Sequence, residues 1–193
     1  MKLAIVKYNA GNVQSVEFAL NRLGISPILT DDVQELKSAD KVIFPGVGEA
    51  SSAMDYLRQR GLDQVIKDLK QPVLGICLGM QLMCRHSEEN DTDCLGIFNL
   101  DVKKFPPIEK VPHMGWNSIK FTDNPLFKGL PSDPYVYFVH SYHAEIGDGT
   151  ICTSEYMLPF TAGLGRDNFY GLQFHPEKSG IIGQQILQNY VNL

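Results

Sequence analysis

The sequence predicts an α/β fold: a central, mostly parallel sheet flanked by helices, with an antiparallel or mixed extension in the C-terminal half. Three observations predict it. Short β-branched runs alternate with helical patterns over roughly the first 83 residues. Past Leu95 the texture turns to strands and proline-broken loops without long helices. A helical apolar stripe then closes the chain.

The first strand is Leu3-Ala4-Ile5-Val6, followed by Val13, Val16, Ala19, Leu20 and Leu23 at helical spacing, with Gly24 as the stop. Pro27-Ile28-Leu29 begins a second strand, residues 33–37 make a short helix, and Lys41-Val42-Ile43-Phe44 enters Pro45-Gly46-Val47-Gly48 as a third. A helical stretch over 50–69 precedes a fourth strand, Pro72-Val73-Leu74-Gly75-Ile76, which runs directly into Cys77 and another helical pattern. Repeated βα crossovers of this length imply a parallel sheet covered on both faces. Beyond them, Ile97-Phe98 and residues 102–105, 119–121, 135–139, 151–153, 160–164 and 169–174 read as strands. Residues 180–190, with Ile182, Ile186, Leu187 and Tyr190 on one face, read as a helix that packs back onto the sheet.

Residues 1–193 read as one domain, since 44% hydrophobic and 20% charged residues at this length supply a single core. A net charge of −5 without a dense Lys/Arg run argues against nucleic acid as a partner. Only four apolar residues separate the N-terminal lysines, too few for a signal or a membrane span, so a cytoplasmic location is expected. Cys77, Cys84, Cys94 and Cys152 are irregularly spaced and suit free thiols in a reducing compartment. A metal site is not expected: of the five histidines only His140 and His143 are close, and alternation along one strand sends that pair to opposite faces. No cofactor is expected either.

In Gly75-Ile76-Cys77-Leu78-Gly79 a nucleophilic side chain sits between glycines where a strand gives way to a helix, the pattern of a nucleophile elbow. The turn needs small neighbours, lifts the sulfur clear of the sheet edge and puts it at a helix N-terminus, where thiolate is favoured. The Leu78 N–H then points where an oxyanion would form. Taken alone, the pattern fits a buried cysteine in a βα turn equally well. A thiol also needs a base, and His175 ends the run Tyr170-Gly171-Leu172-Gln173-Phe174 with Pro176 stopping the strand, so its imidazole emerges at the C-terminal edge. Glu177 lies near enough to orient the ring. A second oxyanion donor is expected from the glycine-bracketed loop after the third strand, with the N–H of Val47 the choice. Three features suit an amino-acid substrate. Gln81 lies one helical turn after Cys77, Ser87-Glu88-Glu89 offers carboxylates near the end of that helix, and residues 137–142 end a strand in polar groups fit for an α-carboxylate.

Three motifs in order, Phe44-Pro45-Gly46-Val47-Gly48, Gly75-Ile76-Cys77-Leu78-Gly79-Met80-Gln81 and Gln173-Phe174-His175-Pro176-Glu177, make the chain resemble the class I (triad-type) glutamine amidotransferases. Residues 8–12, Ser87-Glu88-Glu89, Pro112-His113-Met114-Gly115-Trp116-Asn117, and residues 137–142 and 168–177 resemble the glutaminases of imidazole glycerol phosphate synthases, and the likeness runs over essentially the whole chain. The resemblance implies attack of Cys77 on glutamine to give a γ-glutamyl thioester and ammonia, with His175 and Glu177 completing the triad. It assigns oxyanion contacts to Val47 and Leu78, and substrate contacts to Gly48, Gln81, Glu89, Ser141 and Tyr142. It also implies a heterodimer with a (β/α)8-barrel cyclase subunit that uses the ammonia in histidine biosynthesis. A face beside Cys77 should meet that partner. The loop of residues 8–12, with Tyr8 and Asn12, lies at the same sheet edge, and Trp116 is a candidate aromatic anchor or else a core tryptophan. Rival readings are a paralogous glutaminase serving a different synthase, and a non-catalytic binding or redox-sensing domain in which Cys77 is an exposed thiol.

Overall fold

The computed structural model describes residues 1–9, 11 and 13–193. In chain order the elements of the parallel half are β1 (Leu3–Val6), α1 (Val13–Arg22), β2 (Ile28–Thr30), α2 (Val33–Ser38), β3 (Lys41–Phe44), α3 (Ala50–Gln59), α4 (Leu62–Asp68), β4 (Val73–Ile76) and α5 (Leu78–Met83). The second half adds β5 (His86–Ser87), β6 (Thr92–Asp93), β7 (Asp101–Lys104), β8 (His113–Ser118), β9 (Lys120–Phe121), β10 (Tyr135–His140), β11 (Tyr142–Ala144), β12 (Thr150–Tyr156), β13 (Leu158–Arg166), β14 (Phe169–Leu172) and α6 (Gly180–Val191).

Among the described residues these strands make one twelve-stranded sheet, ordered β2-β1-β3-β4-β14-β13-β11-β7-β5-β6 with β12 and β9 attached through β13, and a separate two-stranded ribbon of β8 and β10. From β2 to β14 every pairing is parallel, and β13, β11 and β12 extend the sheet antiparallel. The expected division into a parallel half and a mixed extension is therefore present, with β14 returning from late in the chain to sit beside β4.

Each parallel strand is fully buried, and alternation along it feeds two cores. Ala4, Val6, Val42, Phe44 and Val73 face the layer of α2 to α5, which contributes Leu36, Met54, Leu57, Ile66 and Met80. Leu3, Ile5, Ile43, Leu74 and Ile76 face the layer of α1 and α6, which contributes Val16, Leu20, Ile186, Leu187 and Tyr190. Among the described residues no helix is long and apolar enough to cross a membrane.

Several expectations change. The helix over 50–69 is two helices, because Gly61 takes a left-handed φ of 67° between them. Ile97 and Phe98 are buried but lie in a bend, not a strand: their apolar side chains plug the core from a loop. Ser87-Glu88-Glu89 belongs to the β5–β6 hairpin, not to the end of α5, which stops at Met83. His140 and His143 do not share a strand. They sit on β10 and β11, and both rings pack on Phe105. Among the described residues no three His, Cys, Asp or Glu side chains gather as metal ligands would.

Tyr190 locks α6 to the sheet, its buried hydroxyl donating toward the carbonyls of Val42 at 2.7 Å and Pro72 at 2.9 Å. Tyr190→Phe keeps the ring but strands buried carbonyl groups, so it should destabilise the fold by about 1 to 3 kcal/mol, read from the urea midpoint at unchanged slope.

Candidate active site

Cys77 leaves the end of β4 with φ 53° and ψ −109°, a backbone region that side chains rarely occupy. The surrounding chain holds it there. Cys77 N–H donates to the Leu172 carbonyl at 2.7 Å, and its own carbonyl accepts from Gln81 N–H at 3.1 Å. The flanking glycines are required by close approach: a Cβ on Gly79 would lie 1.8 Å from the Phe44 carbonyl oxygen, and one on Gly75 would lie 2.8 Å from the backbone of Gly79. The cysteine side chain stands at the rim of a cavity of about 290 Å³.

His175 follows the end of β14, beside β4, and Pro176 opens a short 3-10 turn that carries Glu177 back to the ring. The imidazole Nδ1–H donates to Glu177 Oε1 at 2.7 Å, and both groups are buried. Nε2 makes no hydrogen bond of ordinary length, and the Cys77 thiol is directed to the Val139 carbonyl at 3.7 Å. Burial on its own disfavours charge on this imidazole. Hydrogen bonding and charge from Cys77 and Glu177 outweigh it together and push the pKa up to about 10. Through the neutral range His175 can therefore hold a proton taken from the thiol.

The structure brings the expected residues to one place. Val47, Gly48, Leu78, Gln81, Glu89, Ser141 and Tyr142 all line the cavity with Cys77. Glu89 also accepts a hydrogen bond from Ala50 N–H at 2.8 Å, which ties the β5–β6 hairpin to the start of α3. Burial raises its pKa, and the Ala50 bond opposes that. Gln81 is buried, with its amide nitrogen donating to the Tyr142 carbonyl at 2.8 Å and to Gln173 Oε1 at 3.0 Å. Sequence reasoning missed Pro112, Val139 and His140, which complete the wall, and Gln173, whose amide approaches the Cys77 sulfur at 3.8 Å. For Gln173 and His140 the signal was present, because both lie inside the quoted motifs, but their partners are set by tertiary packing.

Two expectations need correction. The Leu78 N–H is not directed at an open oxyanion position: it donates to the Gly46 carbonyl at 3.2 Å. A trans peptide sets its C=O and N–H in opposite directions, so the Gly46–Val47 peptide turns the Val47 N–H away from that of Leu78. The two expected donors do not converge in this conformation. Tyr8, expected on an outer face, is buried against Phe44, with its hydroxyl on the Pro45 carbonyl. It props the loop of Val47 from beneath. Asn12 lies outside the described residues. Trp116 is 55% exposed on β8, packed edge-on against Tyr137, and so is not a core residue.

The raised His175 pKa links to stability. The unfolded imidazole titrates near 6.5 and the folded one near 10, so the stabilisation of its charged form is complete below about pH 6.5 and is lost as the pH rises toward 10. Unfolding midpoints taken from pH 6 to 10 should fall more steeply for the wild type than for His175→Asn, and parallel curves would remove the charge coupling.

Comparison with known proteins places this geometry in a family. The model of the family described as glutamine amidotransferase class-I matches residues 5–192. Over 196 aligned positions the chain is 57% identical to the imidazole glycerol phosphate synthase subunit HisH of Bacteroides fragilis, covering 100% of both. Its counterpart in Pasteurella multocida is 46% identical, with 98% of this chain and 96% of the other covered. Among solved structures, a putative GMP synthase protein from Thermoplasma acidophilum superposes with a TM-score of 0.77 at 23% identity, covering 100% of this chain and 93% of that one. PurLQS from Thermotoga maritima superposes at 0.71 and 16% identity, covering 99% and 97%. These two likenesses speak to the fold, whereas the full-length family match and the close relatives speak to descent: the chain belongs to the class-I glutamine amidotransferases.

Proposed function

We propose that this chain is the glutaminase subunit of an imidazole glycerol phosphate synthase, a single glutaminase domain over residues 1–193 that acts in the cytoplasm beside a (β/α)8-barrel cyclase. The observation that carries the reading is the placement of a strained cysteine, a buried His–Glu pair and a carboxylate-bearing cavity at one sheet edge. Full-length relatives named as a subunit of that synthase support the choice of partner.

Glutamine enters with its α-ammonium group toward Glu89 and its α-carboxylate toward Ser141 and Tyr142, which sets the side-chain amide over Cys77. The thiol proton passes to His175 and the sulfur attacks the amide carbon. Collapse of the tetrahedral adduct breaks the C–N bond as His175 returns the proton to the leaving nitrogen, giving ammonia and a thioester. Water, deprotonated by the same imidazole, then hydrolyses the thioester to glutamate. Glu177 keeps the ring in its Nδ1–H form throughout.

The tetrahedral oxyanion needs two donors. Turning the Gly46–Val47 peptide by about half a turn would release the Leu78 N–H and aim the Val47 N–H beside it. Gly46 suits that motion, since a Cβ there would lie 2.3 Å from the Tyr8 hydroxyl and 2.9 Å from Leu78 Cβ. The resting conformation is therefore a poor catalyst, which limits waste of glutamine before a partner and acceptor are in place. Ammonia is largely protonated in neutral water, so a sealed route from Cys77 to the partner preserves its nucleophilicity. Trp116 and Met114 on β8, with Ile181 at the start of α6, are exposed apolar side chains suited to such an interface.

Cys77→Ala should abolish glutamine-dependent synthesis by the assembled complex while synthesis from added ammonium salt persists. Glutamine turnover by the variant would remove Cys77 from its role, and a mass-spectrometric partner other than a cyclase barrel would favour a paralogous synthase. His175→Asn should lower glutamine turnover roughly tenfold to 100-fold more than Glu177→Gln, because the latter leaves an imidazole in place. Trp116→Ala should weaken association with the partner by about 2 kcal/mol in calorimetry with an unchanged thermal midpoint of the free chain, and equal affinity would move the interface elsewhere.

A further inference from the structure

The β8–β10 ribbon carries a buried pair of histidines that the chemistry above does not use. His113 and His140 are register partners across the ribbon, both buried, with His113 Nδ1 2.9 Å from His140 Nε2. Every other polar contact of the pair has a fixed direction. His140 Nδ1 lies 2.7 Å from the Tyr142 carbonyl, which can only accept, so that nitrogen carries a hydrogen. At the other end, Asn117 Oδ1 accepts from Ser118 N–H at 2.8 Å, which fixes the amide orientation. Its Nδ2 then donates to the Glu155 carbonyl at 2.8 Å and approaches His113 Nε2 at 3.4 Å.

Two neutral rings satisfy this chain in only one way. His140 bears its hydrogen on Nδ1 and accepts at Nε2, so His113 must bear its hydrogen on Nδ1 and accept at Nε2 from Asn117. Both rings are held neutral, because burial pushes His113 down to about 4 and His140 down to about 3. The chain ends on a carbonyl that matters to the pocket. Tyr142 C=O also receives Gln81 Nε2, whose second hydrogen goes to Gln173, whose amide in turn approaches the Cys77 sulfur. The segment between the ribbon and that carbonyl, Val139 to Tyr142, lines the cavity, and the Val139 carbonyl accepts the Cys77 thiol hydrogen.

We propose that His113 is a positioning residue for the substrate pocket: by donating its Nδ1 hydrogen to His140 it holds His140 in the form that grips the Tyr142 carbonyl, and thereby fixes the wall of residues 139–142 beside Cys77. Were the hydrogen of His113 on Nε2, two lone pairs would face each other at 2.9 Å and a donor would face the Asn117 amide. Relief would come from His140 moving its own hydrogen to Nε2, which releases Tyr142. Ser141 and Tyr142 would then lose their registration, while the sulfur and its base, held by β4 and β14, would stay. The role is therefore in binding glutamine rather than in activating the thiol. It rests on the glutaminase reading.

Phe keeps the volume of His113 and its stacking on Phe138 and Tyr156, at 4.9 Å and 4.1 Å between centroids, but has no donor. Asn places an amide nitrogen close to where Nδ1 stands. The test compares wild type, His113→Phe and His113→Asn in three measurements: long-range proton–nitrogen NMR of labelled histidines in the free chain, glutamine KM and kcat in the assembled complex, and alkylation of Cys77 by iodoacetamide, which needs no pocket. Expected are Nδ1–H signals for both histidines in the wild type and a shift of His140 toward Nε2–H in His113→Phe. That variant should raise KM about tenfold or more, the scale of a lost buried hydrogen bond, with Cys77 alkylation changed less than about twofold and the Asn variant restoring most of the KM. An Nε2–H wild-type His113 or His140, or a wild-type KM in His113→Phe, overturns the proposal. If the wild-type complex itself fails to hydrolyse glutamine, the glutaminase reading falls, and the histidine spectra alone decide the tautomer lock.

Discussion

The parallel pairing of β4 with β14 is the constraint on which the rest of the site depends. Tyr170, Gly171 and Leu172 pair with Leu74, Gly75 and Ile76, so strands from the middle and the end of the chain finish at one edge. Cys77 and His175 each begin just past that edge, one through an elbow and the other through a proline-led turn. The glycine pair in this register also lets α5 settle on the sheet. A Cβ on Gly171 would lie 2.5 Å from Met80 Cγ, and one on Gly75 would lie 2.8 Å from the backbone of Gly79 and Met80. Larger residues at either position would lift α5, and with it Leu78 and Gln81, away from the cavity.

Strain at Cys77 costs about 1 to 3 kcal/mol in a non-glycine residue, and the surrounding bonds show how it is sustained. The elbow's amide and carbonyl are both satisfied, and Leu78 N–H is tied to Gly46. That last bond stabilises the elbow while spending the donor that an oxyanion needs. Stability of the resting state and readiness for chemistry are thus opposed at a single peptide. Tyr8 lies directly beneath it, its hydroxyl on Pro45 and its ring on Phe44, so the loop is supported from the core rather than from solvent.

Much of this arrangement was legible in the sequence, for physical reasons that also mark the limit. The buried parallel strands and amphipathic helices announce themselves through periodicity, and the elbow through glycines that close approach demands. Strand β8 was not legible: His113-Met114-Gly115-Trp116-Asn117-Ser118 has little β-branched content, and Gly115 sits at φ 137°. Ile97 and Phe98 misled because an apolar pair is equally at home in a strand or in a loop that plugs a core. The orientation of the Gly46–Val47 peptide could not be read at all, since glycine accepts either setting and the choice belongs to Leu78. Tyr8 was placed on the outer face because its motif ends a strand at the right edge, and only packing against Phe44 decides that the ring turns inward.

Around the thiol, the buried polar groups on the side away from His175 are neutral. Gln81, Gln173, His140 and His113 pass hydrogen bonds in one direction, and burial suppresses charge on both histidines. A cation in their place would compete with His175 for the thiolate, and an anion would raise the cost of forming it in a low-dielectric setting. With neutral donors behind it, the sulfur meets its ionic partner on one side only, the imidazole backed by Glu177. The same neutrality makes the pocket wall directional: each amide or imidazole has a single orientation that satisfies its neighbours, so positions are set by hydrogen-bond polarity as well as by packing. A site built this way tolerates little exchange among polar residues, because an isosteric swap that reverses one donor leaves two buried groups unpaired along the chain from Asn117 to Cys77.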